Sequence, residues 1–430
     1  MTTINIMLPK EITDRNQLPM HERIGYGMVA LAALILLLGA FGGPLAANPA
    51  IYCFLTIGLS SLGGLTVILP RFKQLPGIKN NGVMTSGLTR RGLLAWMLGI
   101  AFTAFYVVLY WYPELLGQMV ASVDPISWTI RGRAADRWFL YGTLYTVSVL
   151  IMGIRMLAKY RHSPYHLVRT GSVMTSQLVL AFVIPAILVR LDSHEFYFHY
   201  FWPLKPDYLF PSSLHELFSS DDKLIVFMGF WTVMMSFIAV PTLTYFFGKR
   251  WYCSWVCGCG ALAETMGDPF RQNSDKSVKA WKAERWIVHG VLVFIVLTTA
   301  IIWLNSFLGG ELLGQWSASW SKAYGFYIGS LFSGVVGVGF YPIMGSRVWC
   351  RFGCPQAAIL GLLQKWFSRF RITTNGGQCI SCGNCSTYCE MGIDVRAYAQ
   401  RGESIKRASC VGCGVCATVC PRGVLKLENQ

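Results

Sequence analysis

The chain is short of charge. Of its 430 residues only 13% are Asp, Glu, Lys or Arg, about half the share carried by a soluble globular domain. With 53% hydrophobic residues and a mean hydropathy of +0.45, a soluble fold is excluded and a membrane protein is indicated. Acidic residues are scarcer still, 21 against 37 basic ones, for a net charge of +16. Such an excess suits nucleic-acid binding, but it also arises from basic loops between membrane spans, and position decides between the two. Histidine is rare inside apolar runs. Six of the seven (His21, His162, His166, His194, His199 and His215) fall outside them, and His289 stands alone near the end of one. A pair of intramembrane haem ligands is therefore not expected. The spans hold few ionisable residues, which weighs against a solute transporter. No cleaved signal peptide is expected, because the first apolar run, Ile24 to Phe41, is long for a signal core.

What the chain does have is apolar runs of spanning length, about 20 residues each. They fall at 24–43, 50–70, 92–112, 138–158, 173–189, 224–247, 286–307 and 325–344. Small residues in the second run (Gly58, Ser60, Gly63, Gly64) and the eighth (Gly329, Gly334, Gly337) point to close helix packing. Loops after even-numbered runs carry fifteen Lys and Arg, those after odd-numbered runs seven. By the positive-inside rule both termini are then cytoplasmic, and the basic excess needs no nucleic acid. The outer loops are aromatic, notably Phe196 to Trp202 and Tyr208 to Phe210. They read first as an interfacial belt, alternatively as a docking surface for a redox partner or a quinone headgroup.

The cysteines organise the rest. Cys379, Cys382, Cys385 and Cys389 repeat their spacing in Cys410, Cys413, Cys416 and Cys420. In this doubled C-x2-C-x2-C-x3-C run the first three thiolates wrap one cubane and the fourth serves the other. Cys379, Cys382, Cys385 and Cys420 are thus assigned to one 4Fe–4S cluster, and Cys389, Cys410, Cys413 and Cys416 to a second. Gly383, Gly412 and Gly414 suit the positive φ and close amide approach that clusters require. Zinc also takes C-x2-C pairs, but it closes with four ligands and has no use for a doubled run of eight. Glu390 follows Cys389 where Pro421 follows Cys420. Clusters need reduced thiolates, which again places this end in the cytoplasm.

A second constellation lies within the membrane part. Gly248, Arg250, Cys253 and Cys257 recur as Gly345, Arg347, Cys350 and Cys354, a shared G-x-R-x-aromatic-C-x3-C. If helical, each pair would share a face, and two such faces supply four thiolates for a third cluster or a metal ion. Arg250 and Arg347 are expected to lower the thiol pKa values. The plainer alternative is unliganded cysteines at helix ends or a metal-free dithiol. Cys259 has no counterpart and is a candidate alternate ligand. Cys53 reads as a small core residue.

Two C-x3-C segments followed by a double ferredoxin resemble the membrane polyferredoxins. That family includes the NapH-type subunit of periplasmic nitrate respiration, the NosR-type protein of nitrous oxide respiration and the CcoG-type oxidase assembly factor. The resemblance covers about 173–430 and rests on Cys253, Cys257, Cys350, Cys354–Pro355 and the eight ferredoxin cysteines. The first copy departs from C-x3-C-P with Gly258 and Cys259. No segment between spans is long enough for the flavin domain of NosR-type members, and no flavin-attachment threonine motif is present.

The expected protein is an all-α polytopic membrane protein of about eight helices with a small α+β di-cluster ferredoxin domain. It divides into a four-helix region (1–172), a NapH-like four-helix core (173–371) and a cytoplasmic ferredoxin (372–430). The resemblance implies electron transfer in a respiratory chain at the bacterial inner membrane, between a quinone or cytoplasmic pool and a partner redox protein. Candidate partners are a respiratory reductase or oxidase, a soluble ferredoxin or a cytochrome. No catalytic residue is assigned. The competing class is a copper-reducing assembly factor of the CcoG type.

Overall fold

A computed structural model describes residues 18–41, 47–78, 80, 91–310 and 314–429. The first seventeen residues, the end of the first apolar run, and Lys79 and Arg90 of a basic loop lie outside the described residues. Seven helices there are long and apolar enough to cross a membrane: Met20–Gly39, Pro49–Lys73, Leu93–Trp111, Arg137–Tyr160, Pro164–Arg190, Lys223–Phe247 and Val278–Phe307. Each coincides with an expected run.

The eighth run, 325–344, is not one straight span. A polar helix, Gly314–Tyr324, continues as a wide π-type helix over Gly325–Val336, and the chain then turns into a short helix at Tyr341–Met344. A Cβ at Gly334 would lie 2.7 Å from the Tyr110 ring, so only glycine lets this segment press onto Leu93–Trp111. Gly63 plays the same part in the second span, where a Cβ would meet the Gly25 carbonyl at 2.7 Å.

The C-terminal unit is closed by a two-stranded antiparallel sheet, β1 (Phe370–Thr374) and β2 (Leu425–Asn429), with Phe370 opposite Asn429 and Thr374 opposite Leu425. Between them lie the helices Asn384–Thr387, Val395–Arg401 and Val415–Thr418. The fold is thus an all-α membrane part carrying a small α+β ferredoxin unit. The two share one core: Phe370, Ile372 and Val395 belong to the same buried cluster as Val240, Tyr252, Cys253 and Cys257. Continuous apolar burial of this kind docks the ferredoxin firmly rather than leaving it on a tether.

Candidate metal centres

The ferredoxin cysteines sort into two separate cavities. Cys379, Cys382, Cys385 and Cys420 line one; Cys389, Cys410, Cys413 and Cys416 line the other. These are the two quartets drawn from the spacing. The loops are built alike. Gly383 and Gly414, both at φ 79°, start the one-turn helices that present Cys385 and Cys416. Gly412 (φ 63°) has Ser381 (φ 58°) as its counterpart in the first repeat.

The two C-x3-C pairs also converge. Cys253, Cys257, Cys350 and Cys354 are all buried, and each pair lies within electrostatic reach of the other. They are not on continuous α-helices, contrary to the expectation of a shared helical face. Cys253 ends the short helix Arg250–Cys253, and Cys257 is the extended residue that caps Gly258–Glu264. Cys350 lies in the π-type turn Trp349–Gly353, and Cys354 caps Pro355–Trp366. Pro355 accounts for the break at Cys354, because the residue before proline avoids the helical region while proline itself starts a helix well; Cys257 has Gly258 in that place. Gly248 (φ 68°) and Gly345 (φ 98°) end the preceding helices. Both second cysteines therefore sit at helix N-termini, where amides stabilise a thiolate. The Ala357 N–H donates to Cys354 Sγ at 3.4 Å.

The paired arginines do not act alike. Arg347 is buried and donates to the Cys253 carbonyl at 3.0 Å and to Cys350 Sγ at 3.6 Å, so one guanidinium serves both copies. Arg250 turns away: its guanidinium lies 4.4 Å from the Phe370 ring centre and bonds Asn429. Buried Lys249 takes the position near Cys253. The expected lowering of the thiols is realised only at Cys257. Hydrogen-bonded by Cys259 and by the Gly260 and Cys259 amides, it is lowered to about 6 against burial. Burial pushes Cys253 up to about 12 and also raises Cys350 and Cys354. Raised thiols of this kind give up their protons to a bound cation.

Spacing tests what could be held. Four thiolates around one zinc at about 2.3 Å stand about 3.8 Å apart. Among the described residues, the one set of three potential ligand atoms within 4.8 Å of one another is Glu264, Glu390 and Cys413. None of the cysteine quartets is drawn in that tightly. The two carboxylates are already engaged by arginines: Glu264 by Arg169 (3.0 Å), Arg347 (2.8 Å) and Arg271, and Glu390 by Arg271 (2.7 Å) and Arg347 (3.0 Å). Asp268 extends the network to Arg155 (2.9 Å), Lys159 (2.8 Å) and Arg271 (3.0 Å). Five cations and three carboxylates thus lie buried between the second ferredoxin cavity and the C-x3-C pairs. The sequence had flagged only Arg347 and Glu390 of these. Of the others, Lys159, Arg169 and Arg271 count only among the basic residues between apolar runs, and Arg155 falls inside the run 138–158.

Two contacts fix the depth of the C-x3-C site. Ser254 Oγ donates to the Val411 carbonyl of the ferredoxin at 2.8 Å, and the Tyr252 hydroxyl donates to the His199 carbonyl at 3.0 Å. Tyr165, near the start of Pro164–Arg190, bonds Gly412, so that helix runs away from the ferredoxin for about 40 Å. The loop after it nevertheless returns to bury His199 and Phe201 against Tyr252. The aromatic stretch 196–202 is therefore not only an interfacial belt: part of it re-enters the membrane core.

Comparison with known proteins agrees with this geometry. Residues 230–277 and 327–373 match a "4Fe-4S binding domain" model, and 378–425 match a "4Fe-4S dicluster domain". The electron transport protein YccM of Escherichia coli is 26% identical over 186 residues, 38% of this chain and 46% of YccM. The methylamine utilization ferredoxin-type protein MauN is 28% identical in Methylobacillus flagellatus (37% of this chain, 54% of MauN). The Paracoccus denitrificans MauN is 25% identical over 44% of this chain and 67% of its own length. The chain is similar to membrane proteins of the polyferredoxin type. It spans about half the length of the first curated relatives it matches. No solved structure matches it. Both matched models are 4Fe-4S binding domains, and they cover all twelve cysteines of the two repeats.

Proposed function

We propose that this protein relays single electrons in a respiratory chain, between one membrane face and the bilayer interior. Two 4Fe–4S clusters would be held by Cys379, Cys382, Cys385 and Cys420 and by Cys389, Cys410, Cys413 and Cys416. A third would be held by Cys253, Cys257, Cys350 and Cys354, with Cys259 donating to Cys257 rather than ligating. Such clusters supply one-electron exchange; the chain positions them, excludes water and sets their electrostatics. The observation that carries the reading is the position of Tyr252–Ser254, hydrogen-bonded on one side to the ferredoxin and on the other to the re-entrant loop. A centre there has the ferredoxin cavities as neighbours and stands partway through the membrane.

The charge bias of the loops supports an inner-membrane location with the ferredoxin cytoplasmic. The working division is 1–172, 173–371 and 372–430. The exchange partner would be a quinone or another redox protein, a reductase, oxidase, soluble ferredoxin or cytochrome. The copper-reductase alternative has less support, because the model that matches both C-x3-C segments is a 4Fe-4S binding domain.

The experiment is anaerobic titration of the reconstituted protein with dithionite, followed by electron paramagnetic resonance and iron content. Three reducible centres are expected, falling to two in Cys350→Ser with the ferredoxin signals kept. Full iron and three signals in that variant would sink the third centre.

A further inference from the structure

A cavity of about 570 Å³ lies where the membrane part meets the ferredoxin. Six cations line it: Lys249, Arg285, Arg351, Lys365, Lys406 and Arg407. They come from separate parts of the chain: the C-x3-C segments and the helix Pro355–Trp366, the start of Val278–Phe307, and the ferredoxin loop before Cys410. Lys249, Arg351 and Cys350 are buried at its floor, whereas Arg285, Lys365 and Lys406 stand exposed at its mouth.

Little of this charge is compensated. Among the described residues that line the cavity, Glu284 is the one carboxylate, and Arg351 holds it at 2.7 Å. Arg285, Lys365, Lys406 and Arg407 have no carboxylate partner among the described residues. Buried Lys249 donates to the Ala408 carbonyl, and at 3.3 Å that bond is long. Like charges converging on one cavity repel unless an anion enters it, and Arg and Lys side chains are the usual donors to phosphate oxygens.

The surroundings point to the source of the anion. Trp281 and Trp366 line the cavity, and Arg407 and Arg285 lie 4.8 and 5.4 Å from the Trp281 ring centre. A second cavity of about 550 Å³ adjoins it: Arg285 and His289 line both, and Trp286 on its wall is 83% exposed. Trp286 begins the apolar run 286–307, so these indoles stand at the membrane–water boundary, the level of lipid headgroups. Basic pockets at that level suit anionic headgroups. We propose that this cavity binds the phosphate headgroup of an anionic phospholipid, its acyl chains lying along Val278–Phe307. A lipid held there bridges Arg285 of the membrane part and Lys406 and Arg407 of the ferredoxin, so the membrane itself clamps the ferredoxin. The inference is independent of what the four-cysteine site binds.

The test uses the full chain in detergent, with dioleoylphosphatidylglycerol, dioleoylphosphatidylcholine and inorganic phosphate as probes. Native mass spectrometry counts bound lipid, and thermal unfolding reads the clamp. Phosphatidylglycerol should bind about tenfold more tightly than phosphatidylcholine and raise the unfolding midpoint. Each cation removed should weaken it about fivefold, hence about 25-fold in Arg285→Gln/Lys406→Gln. Arg133→Gln/Lys322→Gln makes the same charge change at exposed sites elsewhere and should bind as the parent does. Arg285→Lys/Lys406→Arg keeps the charges and should restore binding, which separates a lost site from a damaged fold. Equal binding of the two lipids, parental binding in Arg285→Gln/Lys406→Gln, or equal loss in the control pair would overturn the proposal. Displacement of the lipid by millimolar inorganic phosphate would also overturn it, giving the cavity to a soluble anion.

Discussion

Arg347 Nε lies 3.0 Å from Glu390 Oε1, and both side chains are wholly buried. This pair joins the residue that bonds Cys350 to the residue that follows Cys389. Glu390 stands where the other half of the ferredoxin has Pro421, and its carboxylate gives the departure a reason. It plugs the ferredoxin into a cationic socket made by Arg271 and Arg347. Five cations against three carboxylates leave the network net positive, which offsets the negative charge of thiolate-bound clusters on either side.

Glu390→Gln should therefore weaken the docking of the ferredoxin and raise the reduction potential of the second cluster. Breaking one partner of a buried ion network costs about 3–5 kcal/mol. Thermal unfolding and a redox titration check the two effects. The cluster held by Cys379, Cys382, Cys385 and Cys420 is the internal control and should not move.

Arg347 and Arg250 occupy equivalent positions in the repeat but should respond differently. Arg347→Gln removes the donor to Cys350 and leaves Glu264 and Glu390 short of a cation, so iron at the four-cysteine site should fall sharply. Arg250→Gln loses only a ring-face contact and one hydrogen bond, worth about 1 kcal/mol, with iron retained. Iron per protein distinguishes them; equal loss in both would mean that the repeat, not the burial, sets the role.

Phe201→Ala should destabilise the membrane core by about 3–5 kcal/mol, the usual cost of emptying a buried aromatic site. Phe227→Ala, on a side chain 48% exposed, should cost far less. Unfolding in mixed detergent measures both, and equal costs would argue that the re-entrant loop does not pack as described.

Acid should act through Asp268. Burial alone would raise its carboxyl, but Lys159, Arg155 and Arg271 hold it well below the ordinary carboxylate range. A carboxylate lowered by folding gives its full stabilisation above the unfolded pKa, about 3.9, and loses it as pH falls toward the folded value. The midpoint of unfolding should thus be insensitive to this group from pH 8 to 5 and fall below about pH 4. Asp268→Asn should be less stable throughout, with a flatter acid limb.

The sequence by itself determined seven of the spans, the ferredoxin unit and how its eight cysteines divide between two cavities. Length and apolarity suffice for a span, and eight cysteines at fixed spacing allow few other closures. It also paired Cys253 and Cys257 with Cys350 and Cys354. What it left to the tertiary structure depends on contacts far apart in the chain. Glu264, Asp268 and Arg271 read as loop charge until folding buries them beside Arg169 and Arg347. Phe201 reads as a belt residue until its loop turns inward. The eighth run reads as a straight span, yet it folds as a π-type helix and a separate short helix, with Gly334 pressed onto Tyr110. Periodicity and spacing are local quantities, whereas burial and charge compensation are set only when distant segments meet.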